Sequence, residues 1–528
     1  MENIRHQEVE KLDLACAPRW LLCFLLAACM LTACANTAGA PQAAMPVPAE
    51  PAMPQAQEPA GDLTVYLEAS FANPLSDHPV YQRILDFKKK YPQVNLTFAS
   101  PSGGLSDYEA REAEITRLNA ELLAGGGPDL FLMGQRLTSC NLFPDLQKSM
   151  RNSAFLNCTP WMNAYGINLA GNDYWPCLMQ AGQVDGNQYI VPLSFDFLAV
   201  LADGGTLSEC GFSQKSAEKD TQSFLLQCFQ AYQKTGMTTN LEEDLSVYLA
   251  QPLLDYNSDT VHLGDEAVRN MLELNRNVHT NADWIQGMAD FLQESRNSGM
   301  QGFAPCEARR LHDGKRLFEI GPYSGIASSA WALSALSDQA QILVPSNEKG
   351  GVTAVVKSCG MINANTQNAN AAAALLAWLL EEDGQSMGAW PGTLLQAPVL
   401  KSAFLPSAAA YYERQKNIWW LSPTPEQKQL FKKQTGNDFI EKTDSEKQEY
   451  LQCLGQPLSE ECMQALLHRL EKINAAHLQS FWYDSVSTTQ TAGDMPLSQV
   501  YQSYLNGDIA LDELIRTLTP ILELYLYE

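Results

Sequence analysis

Positive charge is scarce in this chain: 35 Lys and Arg stand against 60 Asp and Glu, a formal net charge of −25 over 528 residues. Nucleic-acid binding needs a basic face that displaces counterions from phosphate. The balance argues against it, and equally against attraction to anionic lipid by charge alone. Motifs of metal and nucleophile chemistry are missing too. Nine cysteines follow Cys34 without a C-x-x-C pair, the seven histidines make no H-E-x-x-H, and no G-x-S-x-G elbow occurs. Gly125–Gly127 leads into Pro128-Asp129, not into the Gly-Lys-Ser/Thr with which a P-loop grips phosphate, so it reads as a helix stop. Asp255, Asn257, Asp259 and Glu266 fall at positions 1, 3, 5 and 12 of a calcium-loop spacing, but Thr260 stands where that loop turns on Gly. Acidic runs such as Glu242-Glu243-Asp244 and Glu381-Glu382-Asp383 look like solvated helix ends. No cofactor, metal or catalytic residue is expected.

What is present describes a folded, exported body. Hydrophobic residues make up 45% and charged residues 18%, ordinary for a globular chain, and the length allows two to four domains at roughly 100–200 residues each. Leu21–Ala33 carries no charge. It is too short for a spanning helix, which takes about 20 apolar residues, and fits the h-region of a signal peptide over 1–33. Leu31-Thr32-Ala33-Cys34 resembles the bacterial lipobox, in which the thiol of the Cys is acylated and its amine becomes the mature N-terminus. Residues 35–61 hold six prolines among alanines with no apolar alternation, so 34–61 reads as a lipidated Cys with a tether. The chain is thus expected on the extracytoplasmic face of the cell membrane. Nine further cysteines are an odd number for an exported chain. Cys210 with Cys228, or Cys453 with Cys462, are close enough to bridge locally, but scattered buried thiols are the reading the spacing favours.

From Gly61 the pattern alternates strand and helix. Leu63–Leu67 reads as a strand. A helix from Pro79 puts Val80, Ile84 and Phe87 on one face, and Val94–Ala99 alternates as a second strand. A helix after Asp107 aligns Ile115, Leu118 and Leu122 and stops at the glycines, and Asp129–Met133 is a buried strand. Strands separated by single amphipathic helices predict an α/β fold with a mostly parallel sheet.

FKKKYPQVNLTF, then a helix, then GGGPDLFLM, resembles the start of the bacterial extracellular solute-binding proteins of family 1, the binding subunits of ABC importers. VDGNQYIVPLSFD (184–196), LHDGKRLFEIGPYSGIASS (311–329) and CGMINANTQNANAAAALLAWLLEEDGQSMGA (359–389) match that family's later blocks in order. So do SFWYDSV (480–486) and LNGDIALDELIRTL (505–518); the stretch 400–470 matches poorly, and Pro520 is expected to kink the last helix.

The resemblance implies a two-lobed periplasmic-binding-protein-like fold with a helical C-terminal tail. Lobe I would take 62–194 plus about 358–415, and lobe II about 195–357 plus 416–528. It implies capture of a sugar or short oligosaccharide between the lobes, permease transmembrane subunits as partners, and a monomer. Sugar rings stack on aromatic faces while fixed polar groups hold their hydroxyls. Tyr323, Trp390 and Trp482 fall where the family's ligand contacts lie, and Asp196 stands at a hinge-adjacent acidic contact. Gln135 and Arg136 follow a strand's carboxyl end, where open sheets bind ligands, and Phe71 and Asn73 lie in the first strand's loop. Met133 replaces an aromatic of the maltodextrin-binding members, which points away from maltose. A surface glycan hydrolase and an adhesion or scaffold lipoprotein on the same fold are the competing readings.

Overall fold

The computed structural model describes residues 54–68, 79–99, 108–134, 142–143, 145–212, 220–241, 245–279, 303–388, 395–435, 437–478, 491–492 and 495–527. β1 (Gly61–Leu67), α1 (Pro79–Lys90), β2 (Val94–Ala99), α2 (Tyr108–Leu123) and β3 (Leu130–Gly134) follow in the order the alternating pattern predicts. α1 buries Val80, Ile84 and Phe87, and carries Lys88–Lys90 in its last turn, where the helix dipole favours cations. α2 ends at Gly125–Gly127. Gly127 has φ +89°, and a Cβ there would stand 2.9 Å from the Leu122 side chain, so only glycine turns the chain this closely. β1 pairs in parallel with both β2 and β3.

The remaining strands of the main sheet are β4 (Val191–Asp203), β5 (Thr238–Leu241), β6 (Arg316–Pro322), β7 (Ala340–Leu343), β8 (Val352–Ile362), β9 (Ala397–Pro398) and β10 (Ile473–His477). Their order is β2-β1-β3-β8-β4-β6-β5, with β7 and β9 also on β4 and β10 on β8. The sheet is mixed. β8 runs antiparallel to β3 and β4, and β6, β7 and β9 run antiparallel to β4. The parallel expectation holds at β1–β3, β5–β6 and β8–β10 and fails around the two long strands. β4 and β8 carry the chain in opposite directions and pair with each other.

All thirteen residues of β4 are buried, and its period of two separates two apolar cores. Leu193, Phe195, Phe197, Ala199 and Leu201 face the first; Leu198, Val200 and Ala202 face the second. The first core takes β1–β3 and α1, along with α6 (Tyr323–Ser334), α7 (Ala369–Leu380), α8 (Phe404–Lys416) and α11 (Glu460–Leu470). Between α8 and α11 run α9 (Pro425–Thr435) and α10 (Asp444–Leu454). The second core takes α3 (Thr221–Thr235), α4 (Glu266–His279), β6, α12 (Leu497–Asn506) and α13 (Leu511–Tyr527). α5 (Phe303–His312) precedes β6 and buries Ala308 and Leu311 in the first core.

Four local features bear on the sequence reading. α13 is helical on both sides of Pro520 and runs to Tyr527, where Leu514, Leu518, Leu522 and Leu526 bury one face and outweigh the backbone hydrogen bond that proline removes. Thr260–Val261 closes a short hairpin on Leu254–Asp255 within the calcium-like spacing. Cys228 and Cys462 are thiols, which agrees with scattered thiols and leaves neither local bridge formed. The spacer is already docked before residue 61: Pro59 is buried, and the Tyr165 hydroxyl and Asn370 Nδ2 each donate to the Gln57 carbonyl at 3.1 Å.

Candidate functional site

The two cores meet where β4, β8 and the start of α6 come together. On β4 the residues that alternate with the first-core set begin polar, at Ser194 and Asp196, before turning apolar at Leu198. Ser194 lies opposite Ser358 of β8, and Asp196 opposite Val355. The β8 register shifts on either side of Ser358, so the ladder is broken by a bulge at this point, and a bulge bends and twists its strand. Buried hydroxyls fill the break: the Ser194 hydroxyl donates to Gln396 Oε1 at 2.6 Å and bonds the Ser358 hydroxyl.

Asp196 is fully buried. Its Oδ1 accepts the Phe197 N–H at 3.0 Å and the Ser324 N–H at 3.2 Å, and its Oδ2 accepts the Ser324 hydroxyl. α6 starts directly after Gly321-Pro322, and Pro322 at the N-cap has no side-chain acceptor to offer the first turn's orphan donors. The carboxylate of β4 supplies it from across the fold. Burial pushes the Asp196 carboxyl above the ordinary aspartate range, against the opposing pull of Lys357 and of the Ser324 and Phe197 hydrogen bonds.

Tyr323, the first residue of α6, is 2% exposed. Its ring stacks on Phe197 at 4.9 Å and 14°, with Phe404 of α8 tilted 6.1 Å away. Burial first, and then the Asp196 carboxylate, push its phenol well above the usual tyrosine range. The structure therefore brings Asp196 and Tyr323 together through Phe197 and Ser324, as a packed joint in which the Asp196 carboxyl takes up the Ser324 and Phe197 donors. Phe71, Asn73, Gln135, Arg136, Trp390, Trp482 and Cys34 lie outside the described residues.

Sequence reasoning passed over Ser194, Phe197, Ser324, Ser358 and Gln396. Only Ser324 left a usable signal: a helix opening on Pro-Tyr-Ser without its own cap needs an acceptor from elsewhere, and VPLSFD offers an acid. Among the described residues no cluster of three or more His, Cys, Asp or Glu is placed to hold a metal ion. The calcium-like spacing is a hairpin turn. Asp255 accepts the Asn257 N–H at 2.9 Å and the Ser258 hydroxyl at 2.8 Å, and Asp259 pairs with Arg151 at 2.7 Å.

No protein-family model matches the sequence, and no curated protein matches it. Solved structures do match. The sugar-binding protein MalE from Xanthomonas citri is 14% identical with a TM-score of 0.55, covering 88% of this chain and 98% of that one. A sugar transporter protein from Rhizobium etli, in an open conformation, is 13% identical with a TM-score of 0.52, covering 88% and 99%. A chitin oligosaccharide binding protein is 13% identical with a TM-score of 0.51, covering 89% and 100%. At such identities the likeness speaks for the fold: this chain has the MalE-like periplasmic-binding-protein fold.

Proposed function

We propose that the protein is the substrate-binding component of an ABC importer, capturing a sugar or short oligosaccharide between two lobes and passing it to the permease without chemical change. One observation carries the reading: over nearly the whole of both chains, the fold is that of a sugar-binding MalE protein. Two cores that share long paired strands support it, because such strands let two bodies rotate while the chain stays continuous. We assign lobe I to 62–194 plus about 358–415 and lobe II to about 195–357 plus 416–528; α5, α6 and α11, which these bounds give to lobe II, pack in the first core with β1–β3. A ligand that touches both lobes binds the closed form more tightly and shifts the population toward it by that difference in affinity.

The side chains assigned to sugar recognition are Phe71, Asn73, Gln135, Arg136, Trp390 and Trp482. Asp196 and Tyr323 join them as the joint that holds α6 against β4. We assign Cys34 as the lipid anchor and the protein to the extracytoplasmic face of the membrane, acting as a monomer. A thermal-shift screen across sugars, peptides and polyamines tests the ligand class. A rise in midpoint with one group of sugars supports the reading, and a rise with peptides or polyamines alone replaces it.

A further inference from the structure

A second polar link joins the two cores, remote in sequence from β4 and β8. The short helix Leu146–Arg151 belongs to the first core through Met150, just after Phe143 of the same core. Asp145, Lys148 and Arg151 recur at intervals of three and so share one side of that helix. Each of the three meets a residue from the second core's side. Buried Asp145 caps its own helix by accepting the Lys148 N–H at 2.9 Å, and its Oδ2 also accepts two phenols: Tyr525 of α13 at 2.8 Å and Tyr256 of the 254–261 hairpin. The Lys148 ammonium donates to the Tyr525 carbonyl and lies 3.6 Å from the centre of its ring. Arg151 pairs with Asp259 in the hairpin turn at 2.7 Å. Tyr525 packs in the second core, and Val261 of the hairpin packs against it.

The geometry points to an interlobe latch, in which Asp145, Lys148 and Arg151 hold the hairpin 254–261 and the end of α13 against the first core and restrain the two cores in this arrangement. A carboxylate taking two phenolic hydrogen bonds out of water is a strong and directional tie, since charge-assisted bonds are about twice as strong as neutral ones. The Arg151–Asp259 pair is half exposed and adds orientation more than energy. Three residues on one helix therefore govern how freely the cores separate. The role of the latch in capture rests on the solute-binding reading above; its existence does not.

Hydrogen–deuterium exchange and small-angle scattering on the ligand-free full chain test it, with Tyr525→Phe and Tyr256→Phe made singly and together. Each variant removes a hydroxyl and keeps its ring, and the single variants serve if the double one does not fold. The latch predicts exchange at least about tenfold faster, the factor that corresponds to ~1.4 kcal/mol, in 146–151, 254–261 and 522–527 together, while β4 and β8 stay protected. It also predicts a larger radius of gyration. Faster exchange confined to 146–151, or none, reduces Asp145 to a local helix cap and overturns the proposal. Neither readout uses a sugar, so a chain that binds none removes the transport reading and leaves this result standing.

Discussion

The carboxylate of Asp196 caps a helix that begins 127 positions later in the chain, by accepting both the N–H and the hydroxyl of Ser324. This relationship fixes α6 to β4 at the point where β4 passes from polar to apolar pairing, and with it sets the stacking of Tyr323 on Phe197. Asp196→Ala removes the acceptor of three buried donors, the Phe197 and Ser324 N–H groups and the Ser324 hydroxyl. It is expected to cost about 2–3 kcal/mol, combining a lost cap with an unsatisfied buried group, measured as a lower midpoint in denaturant at constant slope.

The same carboxyl makes stability depend on pH in an unusual direction. Its folded pKa is raised, so the native state holds its proton more tightly than the unfolded state. The stabilisation that follows is complete below the ordinary aspartate value and is lost as pH rises through the raised folded value. Comparing wild type with Asp196→Asn across that window is expected to show the wild-type advantage shrinking as pH rises. An advantage that grows with pH means that the ionised form is the preferred one.

Gly455 marks where the helices of 404–470 dock. It has φ +75°, and a Cβ there would lie 2.0 Å from the Trp331 carbonyl oxygen of α6. The Gln456 N–H donates to the same carbonyl at 3.1 Å, and the Tyr412 hydroxyl donates to the Gly455 carbonyl at 2.8 Å. Gly455→Ala is expected to lower stability by at least about 1–3 kcal/mol from backbone strain alone, with more from the clash. Among the described residues, proteolysis is expected to cut first within 417–455, where Leu421 alone of the described side chains is buried.

The residues that could be read from sequence are those whose partners are near in the chain or whose spacing is periodic. Val80, Ile84 and Phe87 announce α1, and the alternation over 94–99 announces β2. Ser194, Ser358 and Gln396 could not be read in this way. Each is an ordinary polar residue, and what matters is a bond made across 164 or 202 positions. The resemblance points to Asp196 as a ligand contact, whereas its partners in the structure are a strand neighbour and a helix start. The stretch 400–470 resembles the family poorly; within it α10 buries no residue and carries no apolar stripe, whereas α8 and α11 on either side do bury one face.

Trp482 is the sharpest of the proposed sugar contacts. Ring stacking contributes about 0.5–1.5 kcal/mol beyond area burial. With the burial included, Trp482→Ala is expected to weaken sugar binding roughly ten- to a hundredfold at about 1.4 kcal/mol per decade, while the empty protein melts almost unchanged. If Trp482 is core instead, the substitution costs about 3–5 kcal/mol and the midpoint of the empty protein collapses. Apo melting and ligand affinity on the same variant decide between these.

Isothermal titration calorimetry with the sugar that most raises the melting midpoint, followed by assay of the same mixture for reducing ends, tests the central claim most directly. The account predicts saturable heat at one site per chain and no new reducing ends, however long the incubation. Heat that never saturates with any sugar, or reducing ends that accumulate with time and vanish when the protein is boiled, would contradict it.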